Sequence, residues 1–342
     1  MTISLDATYS TGDRLSGVGL YSHEILYGLA AAHPETGFHF CYRLHRYLRS
    51  WRLKLPSNVR KRLILEPFGP RDTELFHGLN QRLPLVPLRR SVATFHDLFV
   101  MSGEYSTPEF RERFTRQARD AAAQADVIIA VSKFTRDQVV SLLGVDPSRV
   151  RVVHHGVRRL DFPVVERQKV ILNVGAIQTR KNIARLVEAF ETVDRSWRLV
   201  LAGSEGYGSR EILARIDASP ARERISVTGY VTPEELAGWY AKAEIFAFPS
   251  LDEGFGMPVL EAMSAGTPVV TSNCSALPEV AGDAAILVNP ESTEELAEAL
   301  CTLTQGEALR EALSSRGVER ARLFTWEKAV AETWNVYREV LG

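Results

Sequence analysis

The stretch AEIFAFPSLDEGFGMPVLEAMSAG, residues 243–266, decides the fold. Its first eight residues form an apolar run that stops at Pro249 and Ser250, as a strand buried on both faces does. Its last part, MPVLEAMSAG, has helical spacing, with Pro258 near the first helical position and a glycine where the helix stops. Gly254 and Gly256 allow a sharp turn between the two. Glu253 and Glu261 flank that turn with seven residues between them. One sits on the loop at the strand end, the other a turn inside the helix. Such a junction gathers free backbone N–H groups and favours an anion. A carboxylate accepts two hydrogen bonds, so it suits a vicinal diol such as that of ribose.

The pattern recurs on both sides. Strand-like runs lie at 170–175, 198–203, 224–229, 243–250, 267–272 and 284–288, with helical patterns such as NIARLVEAFETV and PEELAGWYAKA between them. This alternation predicts an α/β domain with a parallel sheet, helices on both faces, and a ligand beyond the C-terminal ends of the strands. The first half is similar but less regular. TISLDA leads through a glycine loop, SGVG, into LYSHEILYGLAAA; strands follow at 74–78, 91–95 and 126–132, and RVRVVHHGV ends the first sheet. RRLDFPVVERQ (158–168) has no period and reads as a linker. Two such domains facing across a cleft would line one deep site with the strand ends of both.

The bulk numbers agree with two globular domains: 342 residues, 45% hydrophobic and 24% charged. Residues 1–165 hold 23 Lys and Arg against 16 Asp and Glu, or +7, and the remainder 18 against 26, or −8. Cys41, Cys274 and Cys301 lie far apart, without disulfide or metal spacing, and imply a reducing compartment. The N-terminus lacks the basic-then-apolar signature of a leader, and no apolar run approaches the roughly 20 residues of a membrane helix. These features point to the cytoplasm. A pI near 6.7 with a single basic tract argues against nucleic acid. That tract, RLHRYLRSWRLKLPSNVRKR (43–62), carries eight Lys or Arg and no acid, with Leu, Tyr and Trp among them. It suits the surface of an anionic membrane, or equally a solvated basic helix and loop.

GAIQTRKN (175–182) follows another strand and opens another helix, with Arg180 and Lys181 side by side at its start. Cations there oppose the helix dipole unless an anion is present. Arg forks onto phosphate oxygens and Lys supplies a point charge. A solvated basic pair is the plainer reading of this stretch alone. Taken with the acidic loop, a diphosphate carrying sugars satisfies both sets. His96, at the end of SVATF, reads by spacing alone as a polar cap on a strand end.

PSLDEGFGMPVLEAMSAGTPVV, GAIQTRKN, GYVTPEELAGWYAKAEIF and LPEVAGDAAILVNP together resemble the retaining glycosyltransferases of family 4, which have the GT-B fold. The likeness continues through SGVGLYSHEI, TFHDL, AAAQADVIIAVSKFTRD and VVHHGV, and its look is that of bacterial mannosyltransferases of polysaccharide assembly. It implies two Rossmann-like, doubly wound domains: an acceptor-binding domain at 1–160, joined by the last helix (326–342), and a donor-binding domain at 169–325. It implies that Glu253 holds donor-sugar hydroxyls, that the amides of Gly254, Phe255, Gly256 and Met257 add contacts to sugar and phosphate, and that Glu261 takes the ribose diol. Arg180 and Lys181 would bind the diphosphate and stabilise it as it leaves. Tyr230 and Val231 would pass along the base. Gly17 and Gly19 would lie beside the phosphates and acceptor, and His96 would hydrogen-bond the sugar. His155 stands where an Asn often precedes the glycine, and Asp252 where an aromatic residue is frequent.

The reaction so implied moves a hexose, with retention, from a nucleotide diphosphate sugar to a glycan or lipid-linked acceptor. GDP-mannose is the favoured donor and a UDP-sugar the alternative. A front-face route needs no enzyme nucleophile. No two aspartates stand two apart, so the acidic metal clamp of other transferases is missing and neither metal nor cofactor is expected. A sugar-nucleotide epimerase or hydrolase, or a non-catalytic sugar-nucleotide sensor, would also bind such a ligand.

Overall fold

The computed structural model describes residues 1–342 apart from 13, 14, 16, 66–69, 71 and the side chain of Arg52. Ser16 of the SGVG loop and the Arg52 side chain of the basic tract therefore lie outside the described residues. The chain forms two compact units. The first comprises Met1–Ser102, Pro108–Gly156 and Thr325–Gly342; the second comprises Gly103–Thr107 and Val157–Phe324.

In the first unit the strands are β1 (Thr2–Asp6), β2 (Gly37–Arg43), β3 (Val59–Ile64), β4 (Leu75–Gly78), β5 (Ser91–Phe95), β6 (Val127–Ala130) and β7 (Val150–Val152). They form a parallel sheet in the order β3-β2-β1-β4-β5-β6-β7. The helices are α1 (Gly17–Ala32), α2 (Leu44–Tyr47), α3 (Phe99–Ser102), α4 (Pro108–Gln124) and α5 (Lys133–Leu143). The helix Trp326–Leu341 returns to this unit, where Trp326, Val330, Val336 and Tyr337 share a core with Leu5, Ile25, Leu29 and Phe38. Gly156 makes that return fit, since a Cβ there would lie 2.4 Å from the Trp326 backbone N.

The basic tract 43–62 is not one amphipathic segment. Arg43 ends β2, α2 follows, Arg49–Arg52 is a 3-10 turn, and the tract's last residues enter edge strand β3. β3, VRKRLI, buries Val59 and Ile64 at its two ends. Its middle is charged, so its sequence masks the strand. Charge on an edge strand also discourages pairing with another chain.

In the second unit the strands are β8 (Gln168–Val174), β9 (Arg198–Ala202), β10 (Ile225–Gly229), β11 (Ala243–Phe248), β12 (Val269–Ser272) and β13 (Ala285–Val288). They are parallel, in the order β10-β9-β8-β11-β12-β13. The helices are α6 (Ile183–Phe190), α7 (Ser209–Asp217), α8 (Pro233–Lys242), α9 (Met257–Ser264), α10 (Leu277–Ala281), α11 (Thr293–Gln305) and α12 (Glu307–Ala321). Ile183, Leu186 and Phe190 of α6, Ile212 of α7 and Leu296 and Leu300 of α11 cover one face of the sheet; α8 and α9 lie on the strands with α12 against α9. The strand order reverses between β8 and β11. Ligands of such sheets bind beyond the strand ends at that reversal. The loops leaving β8 and β11 carry GAIQTRKN and DEGFG.

Candidate active site

β8 and β11 are hydrogen-bonded neighbours, so the loops that leave them run side by side. The first passes through the 3-10 turn Thr179–Lys181 and then Asn182, whose φ is 58°, before α6 begins. Arg180 and Lys181 thus precede the helix instead of opening it. This corrects the dipole argument: what sets their position is a buried anion. Leu251 N donates to the Arg180 carbonyl at 2.9 Å, which ties the two loops together.

That anion is Glu253. Its Oε1 accepts from Lys181 Nζ at 2.5 Å and from Ser250 Oγ at 2.6 Å, and lies 3.0 Å from Arg180 Nη1. Arg180 Nη1 also donates to the Asp252 carbonyl, and Lys181 Nζ stands 4.5 Å from the centre of the Phe248 ring. All three charged residues are more than nine-tenths buried. Burial alone would raise the Glu253 carboxyl. Arg180 and Lys181, with the hydrogen bonds from Lys181 and Ser250, outweigh it and hold the pKa at about 2. Among the described residues Oε2 has no hydrogen-bond partner. The group is a fixed anion with one oxygen engaged and the other able to accept.

Glu261 is buried on α9, and its Oε2 accepts from the Tyr240 hydroxyl at 2.8 Å. Burial raises its pKa, against the Tyr240 hydrogen bond and the charge of Arg158. Its Oε1 has no hydrogen-bond partner among the described residues. Between the two glutamates, Phe255 meets Phe324 edge-on at 5.8 Å. Gly256 has φ 101°, and a Cβ there would lie 2.7 Å from Leu277 Cδ2. Met257 opens α9 with Pro258 behind it. Residues 254–256 thus lead into the two-turn helix α9.

Tyr230 and Val231 follow β10, two strands away from β8 at the sheet edge, and Tyr230 is 44% exposed. Thr232 behind them caps α8 in a capping box with Glu235.

The remaining candidates belong to the first unit. Gly17 is the first residue of α1, and a Cβ on Gly19 would come within 3.0 Å of the Tyr9 carbonyl. His96 follows β5. Its Nε2 lies 2.9 Å from the Leu79 carbonyl, an oxygen that can only accept, so Nε2 carries the proton and Nδ1 is the acceptor. Burial lowers its pKa to about 4, against the opposing pull of that carbonyl. A neutral His96 can receive a hydroxyl hydrogen bond through Nδ1. The Tyr21 ring stands edge-on to it at 4.7 Å, and His155 lies 5.3 Å away.

Three supporting residues escaped sequence reasoning. Ser250 fills the third position on Glu253 Oε1, Tyr240 orients Glu261, and Phe248 lies under Lys181. Each reads along the chain as an ordinary strand-end or core residue. Among the described residues no group of three or more His, Cys, Asp or Glu is arranged to hold a metal ion.

Two family models match the chain. One, described as "Glycosyl transferases group 1", covers residues 168–306 and includes Arg180, Lys181, Glu253 and Glu261. The other, described as "Glycosyltransferase Family 4", covers residues 73–159 and includes His96. O-antigen chain mannosyltransferase B of Escherichia coli is 29% identical, over 95% of this chain and 96% of its own length. D-inositol 3-phosphate glycosyltransferase of Nocardioides sp. is 32% identical over 75% of this chain, and the match spans 62% of that relative. Sucrose-phosphate synthase from Thermosynechococcus elongatus superposes with a TM-score of 0.79 at 21% identity, covering 99% of this chain and 98% of that one.

Proposed function

The chain belongs to the family 4 glycosyltransferases and has the GT-B fold, and from that premise we propose that it is a retaining hexosyltransferase, moving mannose from GDP-mannose to a glycan or lipid-linked acceptor in polysaccharide synthesis. One observation carries this reading: Arg180, Lys181 and Glu253 meet within 3.0 Å at the reversal of strand order in the second unit. A departing nucleoside diphosphate gains negative charge. Two prearranged cations in a water-poor site stabilise it more than solvent would. Glu253 Oε2 and Glu261 Oε1 are the acceptors for sugar and ribose hydroxyls. Glu253 is a poor nucleophile, because three donors surround its Oε1 and its pKa is about 2. We therefore assign it to binding. The acceptor proton passes to an oxygen of the leaving phosphate on the same face of the sugar, which retains the anomeric configuration. Neither metal nor cofactor enters this scheme. The mannosyltransferase relative supports mannose and a glycan acceptor.

The same reading sets the enzyme to work in the cytoplasm, at the inner face of the membrane. Leu44, Leu48 and Trp51 are 61%, 71% and 69% exposed, beside the exposed cations Arg49 and Lys54. Apolar side chains that can enter a headgroup layer, with cations to meet anionic lipids, suit peripheral contact. No helix among the described residues is long and apolar enough to cross a membrane.

The test is a donor panel of GDP-mannose, UDP-glucose and UDP-N-acetylglucosamine with mannosyl acceptors, read by NMR of the product's anomeric centre and repeated with chelator. An α-glycoside from an α-linked donor, formed equally with chelator, is expected. Free epimer, free sugar or no turnover with every donor would remove the proposal. Flotation with anionic liposomes at low salt tests the membrane contact.

A further inference from the structure

Tyr21 of α1 is wholly buried beside His96 and has no role in the transfer scheme. Its ring stands edge-on to the His96 imidazole, with centroids 4.7 Å apart and 80° between the planes. Its hydroxyl lies 2.9 Å from Thr94 Oγ1 on β5. Thr94 Oγ1 lies 2.8 Å from His77 Nε2 on β4, and His77 Nδ1 lies 2.5 Å from the Tyr337 hydroxyl on the last helix. Burial lowers the His77 pKa to about 3. A neutral imidazole donates from one nitrogen and accepts at the other, so His77 joins the two hydroxyls in one relay.

All four side chains of this relay are fully buried. Polar groups in an apolar core are costly unless each is paired, and here each is paired with the next. A phenylalanine at 21 or 337 would fill nearly the same space without that demand. What the satisfied network adds is a single setting for the Tyr21 ring, where packing alone tolerates small shifts. A second route reaches the same ring. Trp326, which opens the last helix, lies 6.3 Å from the Tyr21 ring and 5.8 Å from His155, itself 4.9 Å from Tyr21. The last helix therefore meets Tyr21 twice, by hydrogen bonds through Tyr337 and by ring packing through Trp326.

His96 has holds of its own. Its Nε2 donates to the Leu79 carbonyl, and its backbone carbonyl lies 3.5 Å from Thr135 Oγ1. The first sets the tautomer, but one hydrogen bond leaves a ring able to rock about that contact. The Tyr21 ring occupies one side of the imidazole, where such rocking would go.

We propose that Tyr21 is a positioning residue for His96: the Tyr337–His77–Thr94 relay fixes its ring, and the ring aims His96 Nδ1 at the hydroxyl it receives during transfer. The inference rests on the glycosyltransferase reading for that hydroxyl, whereas the packing of His96 does not depend on it.

The full chain is compared with Tyr21→Leu, which removes the ring, and with Tyr21→Phe and Thr94→Val, which cut the relay at nearly constant side-chain volume. Steady-state kinetics with GDP-mannose and a mannosyl acceptor are read beside nitrogen NMR of the His96 ring, assigned with His96→Gln. The wild type should show one tautomer, protonated at Nε2. Tyr21→Leu should lower kcat at least tenfold while the donor KM stays within about twofold, as loss of a transition-state contact does. The two ring nitrogens of His96 should then move toward a common averaged shift. Tyr21→Phe and Thr94→Val should lower kcat about threefold, with a smaller movement of the same signals. A role in stability alone would lower the melting temperature and leave kcat and the His96 signals unchanged, and that result overturns the proposal. Should Tyr21→Leu not fold, the two volume-preserving variants decide: wild-type kcat and wild-type His96 signals in both overturn it. Absence of turnover by the wild type with every donor counts against the glycosyltransferase reading, and the His96 spectrum alone then decides the role of Tyr21.

Discussion

Lys181 Nζ and Glu253 Oε1 lie 2.5 Å apart, although the two residues are 72 positions apart in the chain. Each is more than nine-tenths buried, with Arg180 as the third member of the cluster. Breaking a buried pair leaves an uncompensated charge, which costs about 3–5 kcal/mol. Glu253→Gln leaves two cations facing a neutral amide. Its melting temperature should therefore drop markedly, together with at least a hundredfold loss of kcat. A variant that melts like the wild type and turns over normally would refute the cluster's role.

Lys181→Met removes one cation but leaves Arg180 on Glu253. We expect kcat to fall by about 10²–10³, the scale of losing one charge-stabilising donor. Stability should change less than in Glu253→Gln. Steady-state kinetics at saturating donor, beside a thermal melt, separate the two effects.

Glu261→Gln should behave differently. Burial raises the pKa of this carboxyl in the folded chain, so ionised Glu261 weakens folding at neutral pH. Its neutral analogue should melt no lower than the wild type while the donor KM rises about tenfold, the range of one hydrogen bond to a charged group. A fall in melting temperature with unchanged KM would contradict this assignment.

Gly256→Ala places a Cβ at φ 101° and 2.7 Å from Leu277 Cδ2. A non-glycine residue in such a conformation costs about 1–3 kcal/mol before the clash is counted. Denaturant titration should report a loss of at least that size, and donor affinity should fall as the Glu253–Glu261 turn shifts.

Acid should weaken the first unit well above the usual carboxylate range. Burial lowers His77 to about 3 and His96 to about 4, and holds His155 well below its ordinary value. The unfolded chain then binds more protons than the folded one below about pH 6.5, so stability falls as pH falls through that point. About 1 kcal/mol per histidine is expected between pH 6.5 and 5.5. Glu253, with its lowered pKa, adds a further loss only below about pH 4.5, its unfolded range. His77→Gln should flatten the slope above pH 5 in chemical denaturation series. An unchanged slope would show that His77 takes up its proton without unfolding.

The chain read alone was enough for the alternating elements of the second unit and for the strand–turn–helix that carries Glu253, Gly256 and Glu261. Those features are local. Apolar runs, glycines and a proline within a dozen residues dictate them. It was not enough for β2 or for β3, whose charged middle hides an edge strand, nor for the direct ion pair between Lys181 and Glu253. Six apolar runs of similar length are interchangeable along a sequence. Only the tertiary structure decides that β8 lies beside β11, and so which loops share a site. Tyr240 on Glu261 and Tyr337 on His77 are the same lesson on a smaller scale: each is a tyrosine on a helix face that reads as core, and its hydroxyl gains meaning from a partner 21 or 260 residues away. Hydrophobic period acts along the chain, whereas a buried charge or hydroxyl must be satisfied by whatever folding brings within 3 Å.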